Sequence, residues 1–575
     1  MPIPVPVKTY QREAVGGFLG VNLRRDTLSL ADGDVARAIN ADLHRTPGVL
    51  RLRQGRTREF QTALAAAIRT LAVQNTRRYQ LAGTVLYRAQ TSILTGLHAD
   101  LLTTIVPFRP LNDTTTWSFI ADRALMRKDD GTNVRTWGIA APTAAPTFAA
   151  GGAGSLTGAY TVRFTYVRLD GTAIAHESNP SPTSASVTLA SQVGSISGMT
   201  ASADAQVTHK RIYRTLAGGA SWLFDQQITN ATTTATTSIA DGSLGAAIEL
   251  DNDLPPNAPW AFAFQEHMFL LRDPTNPHYL RYSKRFRPES FPTANFLEIG
   301  NPADPLQSGV ALSGFAGVLS RLTKYRIFGN STSGFVALEA LSSRGTPAPQ
   351  AITVTSRGAV FVARDGLFLT NFLEPDQELT TTIQSLFYGE TINEMPPINW
   401  TQTAAMSVAE FKRRLYFGYS TGAERMLAVY SQDTGRWYFY QQHPVQTLFV
   451  DEVADQLLMG GEDGLTWVLE NTAADDGSAI ALTADFPERA VGNPWVKKLF
   501  GYLRLDTEGG TVNADLYIDG VFVRTYTSTG TRRRLLQRVP QVMGQTWQVR
   551  NVRYTGTEEV KIHGAEILAL PLEEA

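Results

Sequence analysis

Short runs of β-branched and aromatic residues follow one another along most of this chain, and Gly, Pro, Asn or Asp interrupts nearly every run. Such runs are typical of short β-strands joined by tight turns. Only residues 32–43 and residues 61–72 place apolar side chains at the spacing of an amphipathic helix. The sequence therefore predicts a mainly β protein with two short helices.

One hairpin pattern occurs three times, in residues 125–131, 361–369 and 459–467, each with an Asp-Gly pair at the turn. An Asp-Gly pair supplies the positive φ angle that a tight hairpin needs. A second pattern is shared by residues 264–271 and residues 411–418, which combine aromatic and aliphatic residues in the same order. These repeats favour an architecture built from similar β units.

Residues 61–150 and 255–484 provide enough chain for six or seven blades of about 45 residues each. We therefore predict a β-propeller of about six or seven blades, interrupted between these two segments. The alternative is a stacked β domain made of unrelated hairpins.

The interruption, residues 151–254, contains strictly alternating strands at residues 160–167 and 208–215. These strands resemble those of a fibronectin-type-III-like β-sandwich, and we predict an inserted sandwich here. The Ala- and Gly-rich run at residues 149–154 and the Pro255-Pro256 pair are predicted as its hinges.

The two ends of the chain form further segments. Residues 485–575 carry well-alternating strands and predict a C-terminal β-sandwich. Residues 1–60 predict a strand, a helix and a basic strand, which together we interpret as an N-terminal docking segment.

Composition excludes several classes of protein. The 575 residues are 43% hydrophobic, enough for substantial cores, and include no cysteine, which excludes disulfides and thiolate chemistry. The net charge of −1 argues against a protein that coats nucleic acid, so any DNA contact is expected to be local. The sequence shows neither a secretory signal nor an apolar run long enough to span a bilayer. We therefore expect a soluble protein assembled in a reducing cytoplasm.

A search for catalytic motifs finds no zinc-type histidine spacing, no phosphate-binding loop and no nucleophile elbow. The pairs Asp251 with Asp253 and Asp475 with Asp476 could in principle flank a glycosidic bond, but they sit in linker-like sequence typical of solvated turns. Residues 129–131 could begin a calcium loop but lack the distal glutamate, and a hairpin turn is the alternative. We predict no enzyme, and no catalytic, cofactor-binding or metal-binding residues.

Arginines form the main charged clusters. Four alternate along one predicted strand: Arg51, Arg53, Arg56 and Arg58. They are expected on one sheet face, where they could contact an acidic partner subunit or DNA phosphates, or simply be solvated. Residues 532–534 and Arg538 predict an exposed turn and strand edge, with an interface as the alternative.

The opening of the chain carries a resemblance to a known family. Gly16-Gly17-Phe18-Leu19-Gly20-Val21-Asn22 is followed by Ala38-Ile39-Asn40-Ala41-Asp42 and then by the arginine-rich strand. This pattern, about a tenth of the chain, resembles the N-terminus of the tail nozzle proteins of short-tailed bacteriophages (podoviruses), the tail tubular protein B and packaged-DNA stabilisation class.

That resemblance implies a homohexameric ring below the portal and head-to-tail adaptor, which retains packaged DNA and conducts it during ejection into the host. It implies further contacts with tail needle or fibre proteins, with double-stranded DNA in the channel and with the host envelope. The protein would be assembled in the host bacterial cytoplasm and reside in the virion tail. The residues expected to dock neighbouring subunits are Arg24, Arg25, Asp26, Asn40, Asp42, Arg51, Arg53 and Arg56.

Two alternatives stay open. Fibronectin-like insertions also occur in receptor-facing baseplate and tail fibre proteins of phages. A glycan-binding propeller is the other alternative, although it would be expected to carry a signal peptide.

Overall fold

A computed structural model of the chain describes residues 9–74, 76–99, 102–330, 332–530 and 536–572. Within these ranges the regular structure is almost entirely β, without an α-helix, which confirms the predicted mainly β class. Four short 3-10 helices occur in the same ranges, at Thr27–Ser29, Asp241–Ser243, Gln384–Leu386 and Thr403–Ala405. No described segment forms a helix with the length and apolar character needed to cross a membrane.

Both predicted helices are wrong. Residues 32–43 form the short strands Asp34–Val35, Arg37–Ile39 and Ala41–Asp42, and every residue from 34 to 43 is buried. Because these strands are covered on both faces, their apolar residues show no alternation that would have revealed a strand. Of residues 61–72, the last five belong to a strand that begins at Ile68.

The chain divides into two compact units. The first unit contains Met1–Val73, Tyr79–Gly83 and Arg344–Ala575, and the second contains Gln74–Arg78 and Thr84–Ser343. Outside residues 147–237, seven groups of four antiparallel strands, here called sheets 1 to 7, occur among the described residues. Sheets 2 to 4 belong to the second unit and sheets 5 to 7 to the first.

Sheet 1 comprises Ile68–Gln74, Arg77–Ala82, Val85–Arg88 and Thr91–Leu94; sheet 2 comprises Thr104–Phe108, Trp117–Ala121, Arg127–Asp129 and Val134–Thr136. Sheet 3 comprises Trp260–Phe264, His267–Leu271, Tyr279–Tyr282 and Phe296–Glu298; sheet 4 comprises Leu306–Leu312, Phe315–Ser320, Lys324–Asn330 and Gly334–Glu339. Sheet 5 comprises Ile352–Thr355, Gly358–Ala363, Gly366–Thr370 and Gln377–Glu378; sheet 6 comprises Ser407–Phe411, Arg414–Ser420, Arg425–Ser431 and Arg436–Tyr440. Sheet 7 comprises Val445–Asp451, Gln456–Gly461, Thr466–Thr472 and, from the opening of the chain, Gly55–Arg58.

The predicted hairpins are confirmed. The three Asp-Gly patterns form turns between paired strands in sheets 2, 5 and 7. The two segments that resemble each other, residues 264–271 and 411–418, lie at the same place in sheets 3 and 6, around the turn between the first two strands. Within each unit, the first strands of consecutive sheets lie beside one another.

Strand Gly55–Arg58 completes sheet 7 by pairing antiparallel with Thr466–Thr472. A Cβ atom on Gly55 would lie 2.0 Å from the carbonyl oxygen of Ala474, so only glycine allows this close approach. A strand from near the beginning of the chain thus forms the fourth strand of sheet 7.

The inserted module consists of two sheets that share a core around Phe148, Tyr160 and Phe164. One sheet contains Thr147–Tyr160, Val187–Ser197 and Ala235–Thr237; the other contains Val162–Asp170, Ala173–Glu177, His209–Thr215 and Trp222–Thr229. The hinge predicted at residues 149–154 is wrong, because strand Thr147–Tyr160 includes this run and pairs with Val187–Ser197.

A buried ionic cluster fixes the inserted module to sheets 2 and 3. Arg168 of the module pairs with Asp113 at 2.7 Å and with Glu289 at 2.8 Å. Lys128 of sheet 2 binds the other oxygen of Glu289 at 2.6 Å, and neither side chain of this last pair is more than 1% exposed. His176 of the module is buried nearby, where burial lowers its pKa to about 4.

The C-terminal module is completed by strands from the opening of the chain. Its first sheet contains Lys498–Glu508, Leu536–Gly544 and Lys561–Pro571 together with Gln11–Gly16, Ala41–Asp42 and Leu50–Leu52. Its second sheet contains Ile480–Asp485, Arg489–Ala490, Thr511–Ile518, Val521–Thr529 and Thr546–Gly556. Strand Arg37–Ile39 joins this second sheet to sheet 6, and Gly20–Val21 with Asp34–Val35 adds to the same edge of sheet 6. Strands of the opening segment therefore pair with several sheets of the first unit.

Candidate functional site

The glycine-rich opening packs closely against sheet 6. Gly17 has a φ of 68°, and a Cβ on Gly20 would lie 2.3 Å from the Cβ of Arg436. The Asn22 Nδ2 atom donates to Asp34 at 2.7 Å, and Asp34 also accepts from Arg436 Nε at 3.1 Å. The motif that carries the family resemblance thus makes its contacts within this chain.

Arg53 lies at the centre of a buried polar group. Its side chain is fully buried and donates to both carboxylate oxygens of Asp475, at 2.9 and 2.7 Å. Its Nε atom donates to Asn40 Oδ1 at 2.8 Å, and the carbonyl oxygens of Gln54 and Gln441 accept further bonds. Asn40 has a φ of 55°, a backbone conformation that asparagine tolerates better than most residues.

A second ion pair lies next to this group. Arg414 binds both carboxylate oxygens of Glu470, and Tyr416 donates to Glu470 Oε1 at 2.7 Å. Burial raises the pKa of Glu470 against the opposing charge of Arg414. Asp42 pairs with Arg45, and although burial opposes it, the charges of Arg45 and Arg414 lower the pKa of Asp42. We call Asn40, Asp42, Arg53, Arg414, Glu470 and Asp475 the polar junction.

The remaining arginines of the basic strand also have partners within the chain. Arg51 donates to Thr46 Oγ1 at 2.8 Å and pairs with Glu559. Arg58 pairs with Asp476 at 2.8 Å.

Arg56 stacks on an aromatic ring, with its guanidinium carbon 4.4 Å from the ring centroid of Trp467. Burial and the charges of Arg53 and Arg56 hold the pKa of His443 well below its usual value. His443 is therefore neutral at pH 7, and its Nδ1 accepts a hydrogen bond from Arg56 Nη1 at 3.0 Å.

The structure thus corrects part of the docking prediction. Five of the eight candidate residues are held by partners inside the chain: Asn40, Asp42, Arg51, Arg53 and Arg56. Asn40, Asp42 and Arg53 are no more than 1% exposed, so they are not available to a neighbouring subunit. Sequence alternation could not show this, because both faces of the strands are covered.

The aspartates considered for glycoside hydrolysis and calcium binding also have partners within the chain. Asp251 binds Lys284 at 2.5 Å, and Asp253 accepts from Asn179 Nδ2 at 2.6 Å. Asp129 pairs with Arg88 at 2.8 Å within the turn predicted at residues 129–131.

Two further predictions concern arginines and metals. Arg538 is exposed, and residues 532–534 lie outside the described residues. In the ranges the structure describes, no three His, Cys, Asp or Glu residues come together as a metal site would require.

The three remaining docking candidates, Arg24, Arg25 and Asp26, are exposed and line a cavity of about 590 Å³. The opposite wall includes Tyr517 and Arg550 from the second sheet of the C-terminal module. We call this cavity the arginine cleft. The sequence predicted the residues of one wall, Arg24, Arg25 and Asp26. It did not predict those of the other wall, because no local pattern around residues 517 and 550 indicates that they lie near residue 24.

The cleft has more positive charge than its own carboxylates neutralise. Arg37 at its base is satisfied by Glu394, by Asp485 at 2.8 Å and by Asn551 at 3.2 Å. Arg24 and Arg25 form no ion pair with any other described residue. Such guanidinium groups are suited to bind a carboxylate or a phosphate.

Arg550 is held in place by its neighbours in the cleft wall. Its Nε donates to Gln548 Oε1 at 2.5 Å, and its guanidinium carbon lies 4.7 Å from the Tyr517 ring centroid. Asp26 accepts from the backbone N–H of Leu28 at 3.0 Å and caps the 3-10 helix that follows. The cleft therefore combines one guanidinium group held by its neighbours, that of Arg550, with the exposed guanidinium groups of Arg24 and Arg25.

No protein-family model matches the chain, and no curated protein matches it. Three solved structures illustrate what it is similar to. An exo-β-1,3-galactanase from Phanerochaete chrysosporium is 8% identical, covering 56% of this chain and 97% of that one, with a TM-score of 0.21. YCF48 bound to a D1 peptide is 12% identical, covering 64% and 95%, with a TM-score of 0.25. Apo AztD from Citrobacter koseri is 8% identical, covering 50% and 95%, with a TM-score of 0.20. At these TM-scores the similarities establish neither the fold nor the function of this chain.

Proposed function

We propose that this chain is a structural virion protein, the subunit of the tail nozzle ring of a short-tailed phage. In this proposal six copies extend the channel of the portal and adaptor, retain packaged DNA and conduct it during ejection into the host. The observation that carries the proposal is the use of the opening motif within the chain: Gly20 packs on Arg436 of sheet 6, and Asn40 donates to the carbonyl oxygen of Ala481 in the C-terminal module. Arg53 binds Asp475, in the segment between sheet 7 and that module. Because the residues of this motif hold parts of the same chain together, we expect a rigid protein, as the wall of a channel requires.

The architecture that we propose is a seven-bladed β-propeller with an inserted fibronectin-like sandwich. It is supported by the four-stranded form of all seven sheets and by the neighbouring first strands within each unit. The pairing of Gly55–Arg58 with Thr466–Thr472 supports closure of the propeller, because joining the chain's beginning to its last blade leaves no open sheet.

A ring of such subunits would form through heterologous contacts, in which each copy presents two different surfaces to its neighbours. The arginine cleft offers one cationic surface for such a contact. The buried ionic cluster supports a rigid subunit, since it fixes the inserted module to sheets 2 and 3.

Native mass spectrometry of the purified full chain, with and without the adaptor-ring protein of the same genome, tests the proposal. We expect a hexamer, or a monomer that becomes a sixfold ring when the adaptor is added. A stable trimer would point instead to a fibre or spike protein. A monomer that ignores the adaptor would overturn the nozzle assignment.

A further inference from the structure

We propose that the arginine cleft, together with an apolar surface beside it, binds an acidic polypeptide segment of a neighbouring tail subunit. The inference rests on the proposed function only for the source of the segment. Its chemistry, carboxylates on arginines and an apolar side chain on an aromatic surface, follows from the residues that line the cleft and from those beside it.

The apolar surface begins at the wall of the cleft. The ring of Tyr517, which supports Arg550, contacts the ring of Phe522 edge-on at a centroid distance of 5.7 Å. Phe522 is 52% exposed and Val521 is 68% exposed. The aromatic surface therefore continues from inside the cleft to the outside of the C-terminal module.

Val521 lies next to Phe522 at the start of the same strand, so the two exposed apolar side chains occupy the same end of the module. We call Val521 and Phe522 the apolar ridge. Large apolar side chains exposed together on a protein surface mark a binding surface.

The cationic side of the site is available to a ligand. Arg24 and Arg25 are exposed and make no side-chain hydrogen bond to any residue that the structure describes. Arg550 uses its Nε for Gln548, and its Nη atoms have no hydrogen-bond partner in the described ranges. Each guanidinium can therefore donate two parallel hydrogen bonds to one carboxylate.

An acidic polypeptide fits this surface better than DNA does. A cavity of about 590 Å³ accommodates a few side chains, whereas a duplex cannot enter it. Phosphate contacts would leave the apolar ridge unused, while a peptide offers both carboxylates and an apolar anchor.

The test measures fluorescence polarisation of a fluorescein-labelled twelve-residue peptide, in which glutamate alternates with leucine and phenylalanine, on the full chain. The competing probes are the same peptide with glutamine for glutamate and a 20-base-pair DNA duplex. The variants are Arg24→Gln/Arg25→Gln and Phe522→Ser. The matched control is Arg357→Gln/Arg413→Gln, which removes two exposed arginines of the same unit that do not line the cleft.

We expect the glutamate peptide to bind, and the Arg24→Gln/Arg25→Gln chain to bind it at least tenfold more weakly. Phe522→Ser should weaken binding about threefold or more, and the control should stay within twofold. The glutamine peptide should bind at least tenfold more weakly than the glutamate peptide, and the duplex should not compete.

Several results would overturn the inference. These are no binding of the glutamate peptide, equal binding by the cleft variant and the control, equal binding of the glutamine peptide, or duplex binding that the cleft variant abolishes. The last result would make the cleft a DNA site. The test is independent of the assembly experiment: cleft-dependent peptide binding without a sixfold ring would remove the nozzle assignment and keep the chemistry of the cleft.

Discussion

The polar junction and the arginine cleft, both in the first unit, use arginines of the same opening segment in opposite ways. Arg53 has no exposed side-chain surface and binds Asp475, Asn40 and two carbonyl oxygens. Arg24 and Arg25 are exposed and bind no described side chain. A buried arginine must be fully paired because an unpaired buried charge is very costly, while an exposed arginine remains free for a partner. Burial, and not residue type, thus separates the fully paired Arg53 from the unpaired Arg24 and Arg25.

The largest expected effect comes from breaking the junction. Asp475→Ala leaves Arg53 as an unpaired buried charge, which should lower the free energy of unfolding by about 3–5 kcal/mol. The neighbouring Asp476→Ala is the matched control, because Asp476 and Arg58 are each more than a third exposed and their pair should contribute at most about 1 kcal/mol. Urea unfolding followed by intrinsic fluorescence measures both. Equal losses for the two variants would contradict the contrast between buried and exposed pairs.

The pH dependence of stability tests the buried ionic cluster of the second unit in the same way. Burial lowers the pKa of His176 to about 4, whereas an unfolded histidine has a pKa of about 6.5. Between these values the unfolded chain binds more protons, so stability should fall as the pH falls from about 6.5 to 4, by about 3 kcal/mol in total.

His176→Leu should remove the part of the slope that His176 contributes when urea unfolding is measured between pH 7.5 and 4.5, and His443, whose pKa is also lowered by burial, should leave a slope of the same sign. Glu289 does not interfere much in this range: although burial opposes it, the charge of Lys128 lowers its pKa to about 2. The stability that Glu289 contributes is present above an unfolded pKa of about 4.3 and is lost only at lower pH. A variant with an unchanged slope would show that His176 is not the titrating group.

The smallest expected effect on stability comes from substitutions in the arginine cleft. Arg24→Gln/Arg25→Gln should change the free energy of unfolding by no more than about 0.5 kcal/mol, because neither side chain has a described partner to lose. The same urea titration measures it. A loss of 2 kcal/mol or more would mean that these arginines are structural, and would remove them from the proposed binding surface.

Local sequence patterns predicted much of the fold. The Asp-Gly hairpins and the two similar segments at residues 264–271 and 411–418 were found because turn and strand preferences act over a few residues. The helix predicted at residues 32–43 failed because burial on both faces removed the two-residue alternation that marks a strand.

The candidate site was predicted only in part. Arg24, Arg25 and Asp26 were found from the opening motif and lie together in the cleft. Arg550 and Tyr517 were not found, because nothing local distinguishes them from other residues of alternating strands. Arg53 was assigned to a surface because its strand alternates with leucine, yet the structure covers both sides of it.

The sequence alone determined the β class, the positions of several hairpins and the lack of cysteine chemistry, since these depend on composition and on neighbours along the chain. The tertiary structure alone decided which arginines are buried and which are free. Arg53 meets Asp475, 422 positions away along the chain. Such pairs form only when distant strands pack, because burial is a property of the folded core and not of any short segment.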